Sequence, residues 1–177
     1  ILQPLANAFV DAGTPYSGVV FAGLMIQDGH PVVIEFNARF GDPETQVVLR
    51  RLITPLAGLL HSAATGSLST APDPKFTDDV AITVVLASEG YPDTSAPNRP
   101  ITGLDQAVSG EHGIEICHAA TALTETGQLL ATGGRVLSVV ATGKDFAHAR
   151  NHAYQAIEQI QLEGSHYPTD IAAKVVA

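Results

Sequence analysis

The sequence has no tryptophan, a single cysteine, a single methionine and only three lysines among its 177 residues. Cys117 has no partner in the chain, so an internal disulfide is excluded and an intracellular, cytoplasmic setting is the expectation. Lys75, Lys144 and Lys174 are scattered, and the formal net charge is −9. That balance excludes a general nucleic-acid binder, which needs a basic stripe. A local anion site stays open through Arg39, Arg99 or Arg135. No apolar run reaches the roughly 20 residues a membrane helix needs, and no charged-then-apolar leader opens the chain. Neither nucleic acid nor membrane is an expected partner. There is also no initial methionine; Ile1 and its followers read as an interior segment, which is the expectation for a fragment. What is plentiful is apolar surface: 45% of residues, enough for the core of one large domain or two small ones.

The pattern along the chain predicts an α+β protein. Pro4 and Gly13 bracket a short helix, and residues 18–26 form a continuous apolar run that reads as a strand buried on both faces. Asp28-Gly29 is a hairpin turn signal, with Pro31 opening a return strand that runs from Val32 to about Arg39. A helix over 43–65 follows, with Asp42 as its cap, Pro43 at its first position, Gly66 as its stop and Pro55 as a kink or break. Residues 66–79 are rich in Pro, Ser and Asp and mark the boundary, giving domains 1–76 and 77–177. Beyond it, strands are expected over 80–87, 114–122 and 135–141, a hairpin turn over 125–128, and a helix over 144–161. The three prolines within 90–103 predict a long ordered loop.

Residues 33–46, VIEFNARFGDPETQ, carry the chemistry. On a strand, Ile34, Phe36, Ala38 and Phe40 share one face while Glu35, Asn37 and Arg39 share the other. A carboxylate and an amide oxygen at i, i+2 suit a hard cation such as Mg²⁺, which completes its shell with phosphate oxygens and water. Arg39 suits an anion held bidentately, and the helix start beyond Gly41 adds backbone N–H groups. Each feature also has a plain reading, respectively a solvated strand face, a surface ion pair and an ordinary helix start. His148 and His152 are i, i+4 on a helix, but Ala149-Arg150-Asn151 lacks the Glu of a zinc helix, so both read as surface residues. Cys117 and His118, adjacent on a strand, face opposite ways and form no dyad; Cys117 reads as core. Gly133-Gly134-Arg135 permits close backbone approach beside a cation, or is a tight turn.

Residues 18–26 (GVVFAGLMI), 33–46 and 133–137 (GGRVL) together resemble the glycinamide ribonucleotide synthetase (phosphoribosylamine–glycine ligase) family of purine synthesis. The run Arg39-Phe40-Gly41-Asp42-Pro43-Glu44-Thr45-Gln46 is its most specific part, and 89–92 and 117–121 look like further family segments. The resemblance spans nearly the whole chain and implies the C-terminal half of an ATP-grasp domain followed by a small β-rich domain, an antiparallel sheet with one helix. It implies ATP, glycine and 5-phosphoribosylamine as substrates, Mg²⁺ or Mn²⁺ as metal, and the missing N-terminal portion of the same enzyme as partner. Glu35 and Asn37 would be metal ligands and Arg39 would steady phosphate or acyl-phosphate oxygens. Gly41, Asp42 and Glu44 would shape the substrate wall, with Arg135 a contact from the second domain. The chain departs from the family pattern at Arg99, where a Lys-Gly pair is usual, at Ala120, where Gly is usual, and at 167–172. Another ATP-grasp carboxylate–amine ligase and a non-catalytic binding module are the other readings. No Gly-rich lid for ATP is present in these 177 residues, so this polypeptide alone is expected to show no turnover with glycine, phosphoribosylamine and Mg-ATP. Product formation in that assay would refute the expectation.

Overall fold

The computed structural model describes residues 1–109 and 113–176. Two compact units are present, one of residues 1–45 and 52–76, the other of 46–51 and everything from residue 77 on. Helix and antiparallel sheet are mixed in α+β fashion, as the sequence pattern predicts.

The first unit opens with α1 (Leu2–Asp11), ended by Gly13 at φ +73°. Strands β1 (Phe21–Gln27) and β2 (His30–Asn37) form a two-stranded antiparallel hairpin. The apolar run expected to be buried on both faces is not: Met25 is 58% exposed and Ile26 64% exposed. A two-stranded hairpin has no neighbour on either side, and a continuous apolar run records what a strand could bury rather than what covers it. The expected helix over 43–65 is two helices, α2 (Glu44–Arg51), most of which belongs to the second unit, and α3 (Leu56–Ala64) in the first, with Pro55 as the N-cap of α3. Pro cannot donate to the helix ladder, so the helix breaks there rather than bending. Asp42 and Pro43 form a turn joined by a cis peptide bond, and α2 begins one residue later than expected.

The second unit is built on β8 (Arg135–Gly143), the central strand of a sheet ordered β3-β8-β5, with β3 (Val80–Ala87) and β5 (Ile114–His118) antiparallel on its flanks. Val136, Leu137, Val139 and Ala141 on β8 are fully buried. Helix α5 (Phe146–Gln159) packs on this sheet through Ala149, Ala153, Ala156 and Ile157, positions that recur on one helical face. Asp145 caps the helix, accepting from the His148 backbone N–H at 2.8 Å.

The expected strand over 114–122 is split. Its first part ends at His118, and after a turn at Ala119-Ala120 the chain enters a second small sheet, β4-β7-β6. There β6 (Thr121–Leu123) and β7 (Leu129–Ala131) form the expected hairpin. Strand β4 (Arg99–Pro100) pairs with β7 inside the loop predicted to be irregular. Helices α4 (Leu104–Ser109) and α6 (Ala173–Val176) were not legible, being too short for a periodic pattern. Gly103 has φ +85°, and a Cβ there would overlap the Gln159 carbonyl oxygen, so α4 can follow the loop only with glycine at this point.

Leu137→Ala, at a fully buried position of the central strand, should lower the unfolding free energy by roughly 2–5 kcal/mol. Leu123→Ala, at a side chain 71% exposed, should change it by less than about 0.5 kcal/mol. Urea denaturation followed by circular dichroism checks both, and equal effects would contradict this placement of the core.

Candidate functional site

Asp28 (φ +50°) and Gly29 (φ +79°) both take the left-handed conformation that a two-residue hairpin turn of matching twist requires. The turn pairs Gln27 with His30, and the ladder runs on to Gly23 opposite Glu35 and Phe21 opposite Asn37. Glu35 and Asn37 therefore project from the same face of β2, and Asn37 Nδ2 donates to Glu35 Oε1 at 3.0 Å. That bond uses an amide hydrogen and one carboxylate oxygen, so Asn37 Oδ1 and Glu35 Oε2 are the oxygens left to face a cation. Gly23 makes room for this arrangement: a Cβ there would stand 3.1 Å from Glu35 Cγ, next to a bulge between Gly23 and Leu24. Among the described residues no cluster of three His, Cys, Asp or Glu is present. Two oxygen ligands still suit Mg²⁺, which typically takes one or two protein ligands and completes its shell with water and phosphate.

Arg39 is not on the strand. β2 ends at Asn37, so the alternation that put Arg39 beside Glu35 does not extend to it, and its Nη1 instead donates to the Phe40 carbonyl at 2.8 Å. Gly41 is buried, and a Cβ on it would stand 2.5 Å from Glu44 Oε2, so Glu44 folds back over it. The Thr45 N–H bonds the Gly41 carbonyl at 3.1 Å, which ties the segment into α2. Gly41 and Glu44 are thus brought together, with Asp42 in the cis turn between them.

In the second unit Arg135 opens β8, opposite Ala87. Arg99 is not an anion site but a clasp. Its Nε donates to the Ala96 carbonyl and its Nη2 to Ser88 Oγ at 2.7 Å, while Nη1 meets Glu89 Oε2 at 3.1 Å and the Glu163 carbonyl. Ser88 is fully buried, so this is how the loop of three prolines is ordered. Cys117 is half-buried and outside the core cluster, contrary to its reading as core, because β5 is an edge strand. Burial pushes its thiol pKa up, the Glu115 carboxylate adds to that, and Arg50 opposes it. Such a thiol is a poor nucleophile. His118 bonds Thr121 Oγ1 at 3.0 Å. His148 pairs with Asp145 at 2.7 Å, so the histidine pair has no zinc-helix character. Asp145 is held below the usual carboxylate range, chiefly by the His148 backbone N–H and then its ring.

Sequence reasoning missed Gly23, whose signal was a glycine inside a strand pattern, and a recess lined by residues 91–95 with Gly134 and Arg135. Arg99→Ala should lower stability by about 1–3 kcal/mol and speed amide exchange at Tyr91 and Thr94, whose N–H groups bond Ser88 and Gly90 carbonyls. Arg39→Ala should leave both unchanged. Hydrogen-exchange NMR checks this, and unchanged exchange in the Arg99 variant would contradict the clasp.

The family model described as "Phosphoribosylglycinamide synthetase, C domain" matches residues 81–174, and "Phosphoribosylglycinamide synthetase, ATP-grasp (A) domain" matches residues 1–45. A phosphoribosylamine–glycine ligase of Leifsonia xyli is 54% identical over 98% of this chain and 42% of its own length. One of Streptomyces coelicolor is 51% identical over 98% of this chain and 42% of its own. The chain therefore spans under half the length of these curated relatives. The crystal structure of a phosphoribosylamine–glycine ligase from Thermotoga maritima superposes with a TM-score of 0.76 at 34% identity, covering 92% of this chain and 39% of that one. N5-carboxyaminoimidazole ribonucleotide synthetase from Thermotoga maritima (TM-score 0.55, 16% identity, 91% of this chain and 41% of that one) shares the fold.

Proposed function

Because the chain belongs to the phosphoribosylglycinamide synthetase family, we propose that it is the C-terminal portion of a phosphoribosylamine–glycine ligase. Residues 1–76 are read as the closing part of an ATP-grasp domain and 77–177 as the family's C-terminal domain. The rest of the ligase, corresponding to the length of the relatives not covered here, would supply the remaining nucleotide contacts. The parent's reaction runs in two steps, in the cytoplasm. A glycine carboxylate oxygen attacks the γ-phosphorus of ATP and ADP leaves, giving an acyl phosphate. The amine nitrogen of 5-phosphoribosylamine then attacks the acyl carbon, inorganic phosphate leaves with the C–O bond electrons, and the nitrogen loses a proton.

The observation that carries this reading is the pair of oxygens on one face of β2, linked by the 3.0 Å bond between Asn37 and Glu35. Glu35 and Asn37 would hold Mg²⁺ or Mn²⁺. When bound, the ion would neutralise phosphate charge and align the groups for in-line transfer. Arg39 spends Nη1 on a carbonyl and has Nε and Nη2 left to bond phosphate or acyl-phosphate oxygens. Gly41, Asp42 and Glu44 would form the adjoining substrate wall, where the buried glycine brings backbone close. Arg135 would contact substrate from the second unit.

Glu35→Ala in the full-length parent should cut Mg-dependent turnover by about 10²-fold or more, the scale of losing a preorganised electrostatic partner. The melting temperature should hold, since Glu35 is exposed. Coupled measurement of ADP release checks it, and wild-type turnover in the variant would remove Glu35 from the metal site.

A further inference from the structure

Strand β1 carries Gly23 in its interior, where a residue with no side chain weakens a strand. The backbone does not call for glycine there. Gly13, Gly29 and Gly66 take positive φ, but Gly23 lies outside that region, so an alanine can adopt its conformation without strain. Packing calls for it at one side chain only. The three heavy atoms nearest an added Cβ all belong to Glu35: Cγ at 3.1 Å, then the carbonyl oxygen and Oε1, each at 3.8 Å. Of these, only the Cγ contact is tighter than ordinary packing.

The strand pairing explains why Glu35 comes so close. The ladder pairs Leu24 with Val33 and Gly23 with Glu35, so Ile34 is an extra residue on β2. A bulge of this kind bends the strand and re-aims the side chain beside it. Glu35 leans over the bare backbone of Gly23, and its Oε1 accepts from Asn37 Nδ2 at 3.0 Å. Shifting Cγ by a few tenths of an ångström to admit a methyl group carries the carboxylate with it. The bond to Asn37 then lengthens, or Oε2 moves relative to Asn37 Oδ1. We infer that Gly23 is a positioning residue for the divalent metal, acting through Glu35: β1 gives up strand stability at this point to hold a ligand carboxylate in place. The inference rests on the reading of Glu35 and Asn37 as metal ligands.

The test compares Gly23→Ala and Gly23→Val with wild type in the full-length parent, with Mn²⁺ and ATP as the probe. Electron paramagnetic resonance should show Mn²⁺ binding weakened about threefold to tenfold by alanine and further by valine, in keeping with a displacement well under the 1 Å that costs about 10²-fold. The Mg²⁺ concentration for half-maximal turnover should rise in parallel, with the KM for phosphoribosylamine within about twofold of wild type. The melting temperature of metal-free Gly23→Ala should hold or rise, because alanine loses less backbone freedom on folding than glycine. Wild-type Mn²⁺ binding in both variants overturns the inference. So does a lowered melting temperature with an equal loss of affinity for every substrate, the signature of a purely structural glycine. Glu35→Gln in the same titration separates the positioning role from the metal reading beneath it. If Glu35→Gln loses Mn²⁺ while the Gly23 variants keep it, the positioning role alone fails. If Glu35→Gln binds Mn²⁺ as wild type does, the metal reading fails and takes the inference with it.

Discussion

Asp28 and Gly29, both at positive φ, fix how β2 runs back along β1, and the proposed metal site depends on that register. A slip of one residue would exchange the two faces of β2 and send Glu35 and Asn37 to the side now held by Ile34 and Phe36. Gly23 lies opposite Glu35 on the other strand, where an added Cβ would stand 3.1 Å from Glu35 Cγ and push that side chain by a few tenths of an ångström. The hydrogen bond between the two side chains then leaves one carboxylate oxygen and the amide oxygen unused by that bond. A hard cation prefers such oxygens, and the account of the first unit follows from that preference.

The second unit depends in the same way on Arg99. One guanidinium ties Ser88 at the end of β3, the Ala96 carbonyl within the proline-rich loop and the Glu163 carbonyl after α5. Five donors in a rigid fork can do this where a lysine could not. The loop that would otherwise be a costly, mobile connection becomes one wall of a recess, and β8 supplies the opposite wall through Gly134 and Arg135. The buried β3-β8-β5 sheet and the alanine face of α5 give that wall a rigid base.

Much of this was legible in the sequence. Asp28-Gly29 announced the hairpin, the alternation in β2 put Glu35 and Asn37 together, and the glycine stops and the Asp145-led helix fell near where expected. Arg39 was misplaced because side-chain alternation holds only while the strand lasts, and nothing in the sequence marks its end at Asn37. The pairing of β4 with β7, and the role of Arg99, were invisible because they join residues far apart in the chain. The β1 run was misjudged since apolar composition cannot say which neighbour a strand meets. The motif of residues 39–46 carried the resemblance, and the comparisons bear out the family it pointed to.

The central claim is that Glu35 and Asn37 hold the divalent metal with nucleotide phosphate. The most direct measurement is a Mn²⁺ titration of the full-length parent, followed by electron paramagnetic resonance with ATP present, in wild type and Glu35→Gln. The account predicts saturable nucleotide-dependent Mn²⁺ binding in the wild type and its loss in the variant, with melting temperature unchanged. Equal Mn²⁺ binding by the two proteins would contradict it.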